Sequence, residues 1–126
     1  PVLLCGGPAD RELTGRIAAA AGVPLIDATG KTGLLEMAAL LARAGLVITG
    51  DTGPLHMAVA LDIPTVSIFG PTEPARFGPL PPGHAALRAT ACSPCYKTAC
   101  PRSTAVCTAA VTPQEVLQAI TRLIDL

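Results

Sequence analysis

Short apolar runs alternate along this chain with longer segments whose apolar residues recur every three or four positions. Residues 2–5 form an apolar run closed by Gly6-Gly7-Pro8, which predicts a strand ending in a turn. Residues 10–21 carry Leu13, Ile17, Ala20 and Ala21 at helical spacing, and Gly22 stops them. Residues 24–26 predict a second strand, and 28–33 a loop. Residues 34–43 predict a helix with Leu34, Leu35, Ala38 and Leu41 on one stripe and Met37 with Leu41 in the core. A buried strand at 46–49, a helix at 53–61 and a strand at 65–69 follow. The strands are apolar throughout instead of alternating with polar positions, and helices separate them. That combination predicts an α/β fold, a parallel sheet with helices on both faces.

The texture changes after Gly70. Residues 71–111 are rich in proline and cysteine and are expected to be loop, apart from a further strand at 85–90. The last helix, 113–125, is well signalled. Thr112 supplies an N-cap, Pro113 stands at the first helical position, and Glu115 completes a capping box. Val116, Leu117, Ile120, Leu123 and Ile124 make its apolar stripe. No internal repeat interrupts this order, so residues 1–126 read as a single domain.

Composition narrows what such a domain can bind. Nine basic and nine acidic residues balance to zero net charge, which argues against a nucleic-acid footprint. Tryptophan is absent, with one tyrosine and two phenylalanines, so base-stacking platforms are not expected. Half of the residues are hydrophobic, but no run approaches the ~18 apolar residues of a membrane span. The chain opens with Pro1-Val2-Leu3-Leu4 and enters a strand at once, without a basic leader. It reads as a piece of something longer.

Candidate chemistry centres on Asp51-Thr52-Gly53-Pro54-Leu55-His56. This polar turn lies where the third predicted strand ends and a helix begins. In open α/β sheets that crevice takes ligands, and a helix start with free N–H groups attracts phosphate. Gly53 has no Cβ, so a ligand can approach the backbone closely. The amides of Thr52, Gly53 and Leu55 are candidate donors to a diphosphate. His56 could meet phosphate or a sugar hydroxyl. Asp51 would repel a phosphate directly beside it, so its expected role is to orient the loop or hold a sugar hydroxyl. An ordinary capped helix accounts for these residues about as well.

The cysteines leave three readings open. Cys92, Cys95, Cys100 and Cys107 follow one another with two, four and six intervening residues. The first pair suits tetrahedral zinc, and the last spacing is loose for it. Thiols, a structural zinc knot and disulfides all remain. Cys5, in the first strand, reads as a small core residue. Arg76, Lys31 and His84 read as solvated.

The segment from Gly30 to Pro79 carries four elements in order: Gly30-Lys31-Thr32-Gly33-Leu34, the 51–56 turn, an Ala60-Leu61…Pro64…Phe69-Gly70-Pro71-Thr72 strand, and Pro74-Ala75-Arg76-Phe77-Gly78-Pro79. Together they closely resemble the signature region of glycosyltransferase family 9, the ADP-heptose:lipopolysaccharide heptosyltransferases. The cysteine segment is similar to one in heptosyltransferase II-like members. The resemblance implies a GT-B fold of two Rossmann-like domains, with this chain the C-terminal, donor-binding half and the N-terminal acceptor domain absent. It implies that Thr52 and Gly53 hold the donor diphosphate, with Asp51 and His56 at the phosphate–sugar end in supporting roles. It implies that Thr32 lies against adenine through its backbone and that Glu12 binds the ribose, with Asp10 the competing choice. The implied reaction inverts the anomeric carbon. An Asp base in the absent domain activates the acceptor, so no catalytic residue and no metal ligand is expected here, and this piece alone should not catalyse. No cofactor is required beyond the ADP-sugar donor, though a structural zinc stays open. The implied partners are ADP-heptose and a lipopolysaccharide core acceptor reached through the other domain. The implied location is cytoplasmic, with peripheral membrane association of the full-length protein. A non-catalytic nucleotide-sugar binding module and a zinc-stapled interaction domain are the alternatives.

Overall fold

The computed structural model describes residues 1–80, 82–88, 92–102 and 106–124. The chain divides into two compact units, residues 1–40 and 41–126. Strands and helices alternate as the apolar pattern predicts, and every strand pair is parallel. The strands fall into two sets, β1-β2 and β3-β4-β5, where the sequence led us to expect one sheet. An apolar run marks a strand but carries nothing about its neighbours.

In the first unit, β1 (Val2–Leu4) pairs with β2 (Leu25–Asp27), in register from Val2 opposite Leu25 to Leu4 opposite Asp27. Between them runs α1 (Arg11–Ala20), entered through a single 3₁₀ turn at Pro8–Asp10. Gly22 at φ +64° ends the helical run, a conformation that glycine adopts without steric cost. The helix buries Thr14, while Leu13 and Ile17 of the expected stripe are exposed. Cys5 is also exposed and is not core. The next helix, α2 (Leu34–Leu41), buries Met37 and Leu41; Leu34 and Leu35, expected beside them, are 74% and 84% exposed. These two stand in the first turn of the helix.

In the second unit, β3 (Val47–Gly50), β4 (Thr65–Ile68) and β5 (His84–Leu87) form the sheet with β4 in the middle. The last two residues of the predicted 85–90 strand lie outside the described residues. Central position explains the burial of β4, whose Thr65, Val66 and Ser67 are closed off from solvent. Its two buried hydroxyls are satisfied. Thr65 Oγ1 lies 3.0 Å from His84 Nδ1, and Ser67 Oγ donates to the Ala85 carbonyl at 3.1 Å. His84 is therefore a strand residue with a partner, not the solvated side chain that its Pro-Gly neighbourhood suggested.

Helix α3 (Gly53–Ala60) packs against β3 and β4, burying Leu55 and Ala58 completely. It ends where Asp62 turns left-handed at φ 57°, with the Ile63 amide donating back to the Ala58 carbonyl and the Asp62 amide to Val59. Two short helices interrupt the stretch expected to be loop: α4 (Pro74–Phe77), opened by a proline in its first turn, and α5 (Val106–Ala109). Helix α6 (Pro113–Ile124) packs on β4 and β5 through Ala119, which is buried, while Leu117 of the predicted stripe is exposed. The predicted last helical residue, Asp125, lies outside the described residues. Among the described residues no helix is long and apolar enough to cross a membrane.

Candidate functional site

The turn at the end of β3 holds four of the predicted residues together. Asp51 follows the strand, Thr52 is the N-cap of α3 with extended backbone, and Gly53 opens the helix, with Pro54 behind it. Thr52 does not cap the helix with its side chain. Its hydroxyl turns back, 3.2 Å from the Thr49 hydroxyl and 3.5 Å from the Gly50 carbonyl. The amides of Thr52 and Gly53 thus find no acceptor among the described residues. Leu55 is different, because its amide already donates to the Thr52 carbonyl at 3.1 Å. Its expected role as a diphosphate donor is corrected accordingly. A Cβ built on Gly53 would meet nothing within 4 Å, so open space lies beside this backbone. Free amides, a helix N-terminus and room above a glycine suit an anion.

Asp51 is kept away from those amides. Its Oδ2 accepts a hydrogen bond from the Thr72 hydroxyl at 2.7 Å, and its Oδ1 lies 3.8 Å from His56 Nε2. The Asp51 side chain is largely buried, whereas that of His56 is 60% exposed and reaches solvent at the same helix start. In the sequence Thr72 stands only at the end of a signature strand, with no role of its own. The signal would have been parallel pairing of β3 with β4, which sets Gly50 opposite Ile68 and so brings the two strand exits side by side. That pairing is not written in either strand alone.

The 70–72 turn is itself held. The Pro71 carbonyl accepts the amides of Cys95 and Tyr96 at 2.9 and 2.8 Å, and Ser93 Oγ donates to the Gly70 carbonyl. Space beside Gly70 is tight, since a Cβ there would stand 3.1 Å from Thr108 Cγ2 and would push that side chain back by a few tenths of an ångström. The cysteine segment therefore braces the turn that grips Asp51. It also lines a cavity of about 350 Å³, with Cys95, Lys97, Cys107 and Thr108 among its walls. Among the described residues no three His, Cys, Asp or Glu side chains gather as metal ligands. Arg76 is exposed and lies over the Phe77 ring, 5.1 Å from its centre.

The remaining predicted residues belong to the first unit. Glu12 is exposed in the first turn of α1. Asp10, its competitor, is committed, because its Oδ2 accepts the Gly7 amide at 2.8 Å. Thr32 lies in the 28–33 loop, which is pinned to the start of α1: the Gly30 amide donates to Gly6, and Arg11 Nη2 donates to the Gly30 carbonyl. Lys31 is anchored too, its Nζ 2.6 Å from the Asp27 carbonyl. Thr29 approaches the Asp27 carboxyl with its hydroxyl and amide and holds it below the usual aspartate range, helped by the Lys31 and Arg11 charges. Only the amide, 2.8 Å from Oδ1, has hydrogen-bond geometry. Among the described residues the hydroxyls of Thr29 and Thr32 are buried without a partner. Partial burial, then the Asp27 charge, push the Cys5 thiol up.

Parallel strands joined through helices, with an uncapped helix start at a strand exit, define a Rossmann-like α/β protein. A family model described as glycosyltransferase family 9 (heptosyltransferase) matches residues 1–105, and the chain belongs to that family. Lipopolysaccharide heptosyltransferase 1 of Pseudomonas aeruginosa is 34% identical over 96 residues, covering 75% of this chain and 26% of that relative. A solved glycosyl transferase family 9 structure from Veillonella parvula superposes with a TM-score of 0.80 at 26% identity, over 97% of this chain and 36% of the other. The E. coli ADP-heptose lps heptosyltransferase II structure gives 0.77 at 27% identity, over 98% and 36%. The chain thus spans about a quarter of the curated relative and just over a third of the solved chains.

Proposed function

We propose that this chain is the donor-binding half of an inverting GT-B glycosyltransferase that moves heptose from ADP-heptose to the lipopolysaccharide inner core. The observation that carries the reading is the open start of α3, where the Thr52 and Gly53 amides have no acceptor among the described residues and free space adjoins Gly53. In this reading the two amides and the Thr52 hydroxyl bind the diphosphate. Negative charge grows on departing ADP, and fixed amide dipoles stabilise it without rearranging. His56 and Asp51 stand at the phosphate–sugar end. Glu12, left uncommitted where Asp10 is not, takes the ribose hydroxyls, and the Thr32 backbone lies against adenine. The acceptor is held by an N-terminal domain, whose Asp base deprotonates the acceptor hydroxyl, and the full-length enzyme works in the cytoplasm at the face of the inner membrane.

ADP titrated into isotope-labelled protein provides the test. We expect amide shifts concentrated at Thr52, Gly53 and His56. Saturable binding that leaves these three unmoved, or no binding at all, overturns the assignment.

A further inference from the structure

Asp51 poses a physical problem for the reading above, on which this inference rests. A carboxylate beside a diphosphate repels it, and an Asp one residue before an N-cap is well placed to claim the helix amides itself. Either outcome would close the site. The structure shows what prevents this. The Thr72 hydroxyl, from the exit of the neighbouring strand, donates to Asp51 Oδ2 at 2.7 Å, and the other oxygen faces His56. Both residues are partly buried, so the bond is shielded from competing water. Thr72 cannot easily move off, because Ser93, Cys95 and Tyr96 hold the carbonyls of Gly70 and Pro71. The next residue, Glu73, is occupied with Arg88 at 2.7 Å and offers Asp51 no competition.

We propose that Thr72 is a positioning residue for the nucleotide-diphosphate site: its hydroxyl holds the Asp51 carboxylate aside so that the Thr52 and Gly53 amides stay open to the anion. Thr72 touches no ligand in this scheme and acts only through Asp51.

Calorimetric titration of ADP into the full-length protein tests it, since one experiment returns both affinity and the fraction of competent sites. Thr72→Val keeps the shape and removes the hydroxyl. We expect about a tenfold loss of ADP affinity with unchanged stoichiometry. Thr72→Ser should restore affinity to within about twofold. In an Asp51→Asn background, Thr72→Val should add no further loss, because the charge it restrains is gone. A purely structural role would lower the stoichiometry, leave the affinity of the remaining sites intact, and act equally in both backgrounds; either pattern overturns the proposal. Thr72→Ala takes the place of the valine variant if that one does not fold. Absence of ADP binding in the unaltered protein would instead sink the donor-site reading and this inference with it, whereas a Thr72→Val protein that binds ADP normally sinks this inference alone.

Discussion

Two helices of the second unit begin in opposite ways. Helix α6 closes its own start. The Thr112 amide and hydroxyl both donate to Glu115 Oε2, at 2.7 and 2.8 Å, and the Glu115 amide returns to Thr112 Oγ1 at 3.3 Å. Helix α3 has an equally good N-cap residue in Thr52 and an acid beside it, yet neither side chain turns to the helix amides. Each is drawn off by a partner elsewhere, Thr52 by the end of β3 and Asp51 by Thr72. A capped start is finished and serves stability alone. An uncapped start, held open by bonds on either side of it, keeps donors available for something outside the chain.

The contrast can be broken most severely at Gly53. Gly53→Leu places a side chain in the open space beside these amides, and its Cβ meets no heavy atom within 4 Å. ADP affinity should fall at least about 100-fold, the range of a lost anion-hole donor, with the thermal unfolding curve nearly unchanged. Retained affinity would show that the open start is not the anion's seat. The converse experiment is Thr112→Ala. Loss of a cap of this kind should destabilise the protein by about 1 kcal/mol, read from denaturant unfolding, with ADP affinity untouched. A drop in ADP affinity would mean that the two helix starts are not separate in function.

The smallest effect concerns pH. The Thr112 amide, then its hydroxyl, hold the Glu115 carboxyl below the ordinary glutamate value. A carboxyl depressed on folding contributes stability that is complete above its unfolded value and is lost as pH falls through the lowered folded one. Glu115→Gln cannot ionise, so it should flatten the acid-side fall in melting temperature by a small amount. The carboxyl is exposed, and solvent screens the gain. An unchanged slope would mean that this capping box works as hydrogen bonds alone.

Much of the fold could be read from the chain. Residues 46–49, 53–61 and 65–69 mark their elements by apolar periodicity, and Thr112-Pro113-Gln114-Glu115 spells out a capping box whose bonds form as expected. These are local matters, decided within one turn or one strand. The misplaced residues failed for a common reason. Leu13, Ile17, Leu34, Leu35 and Leu117 sit at helical spacing and are exposed, while Thr14 and Ala119 are buried. Periodicity tells which residues share a face, but not how far the packing partner reaches along it. The same gap explains Cys5, expected in the core and found exposed, and His84, expected in solvent and found bonded to Thr65.

The Asp51–His56 turn was visible in the sequence because a strand, a polar glycine-containing turn and a helix follow each other directly. From sequence alone come its place at a strand exit and its family signature. Only tertiary structure decided that the turn is open. Thr52 and Asp51 each have two ways to satisfy their oxygens, one within the helix start and one across to neighbouring backbone or to Thr72, twenty-one residues away. Which wins depends on the parallel pairing of β3 with β4 and on the brace around Pro71. A hydrogen bond's direction is set by which partner lies within about 3 Å, and that distance comes into being only when separate stretches of chain pack together.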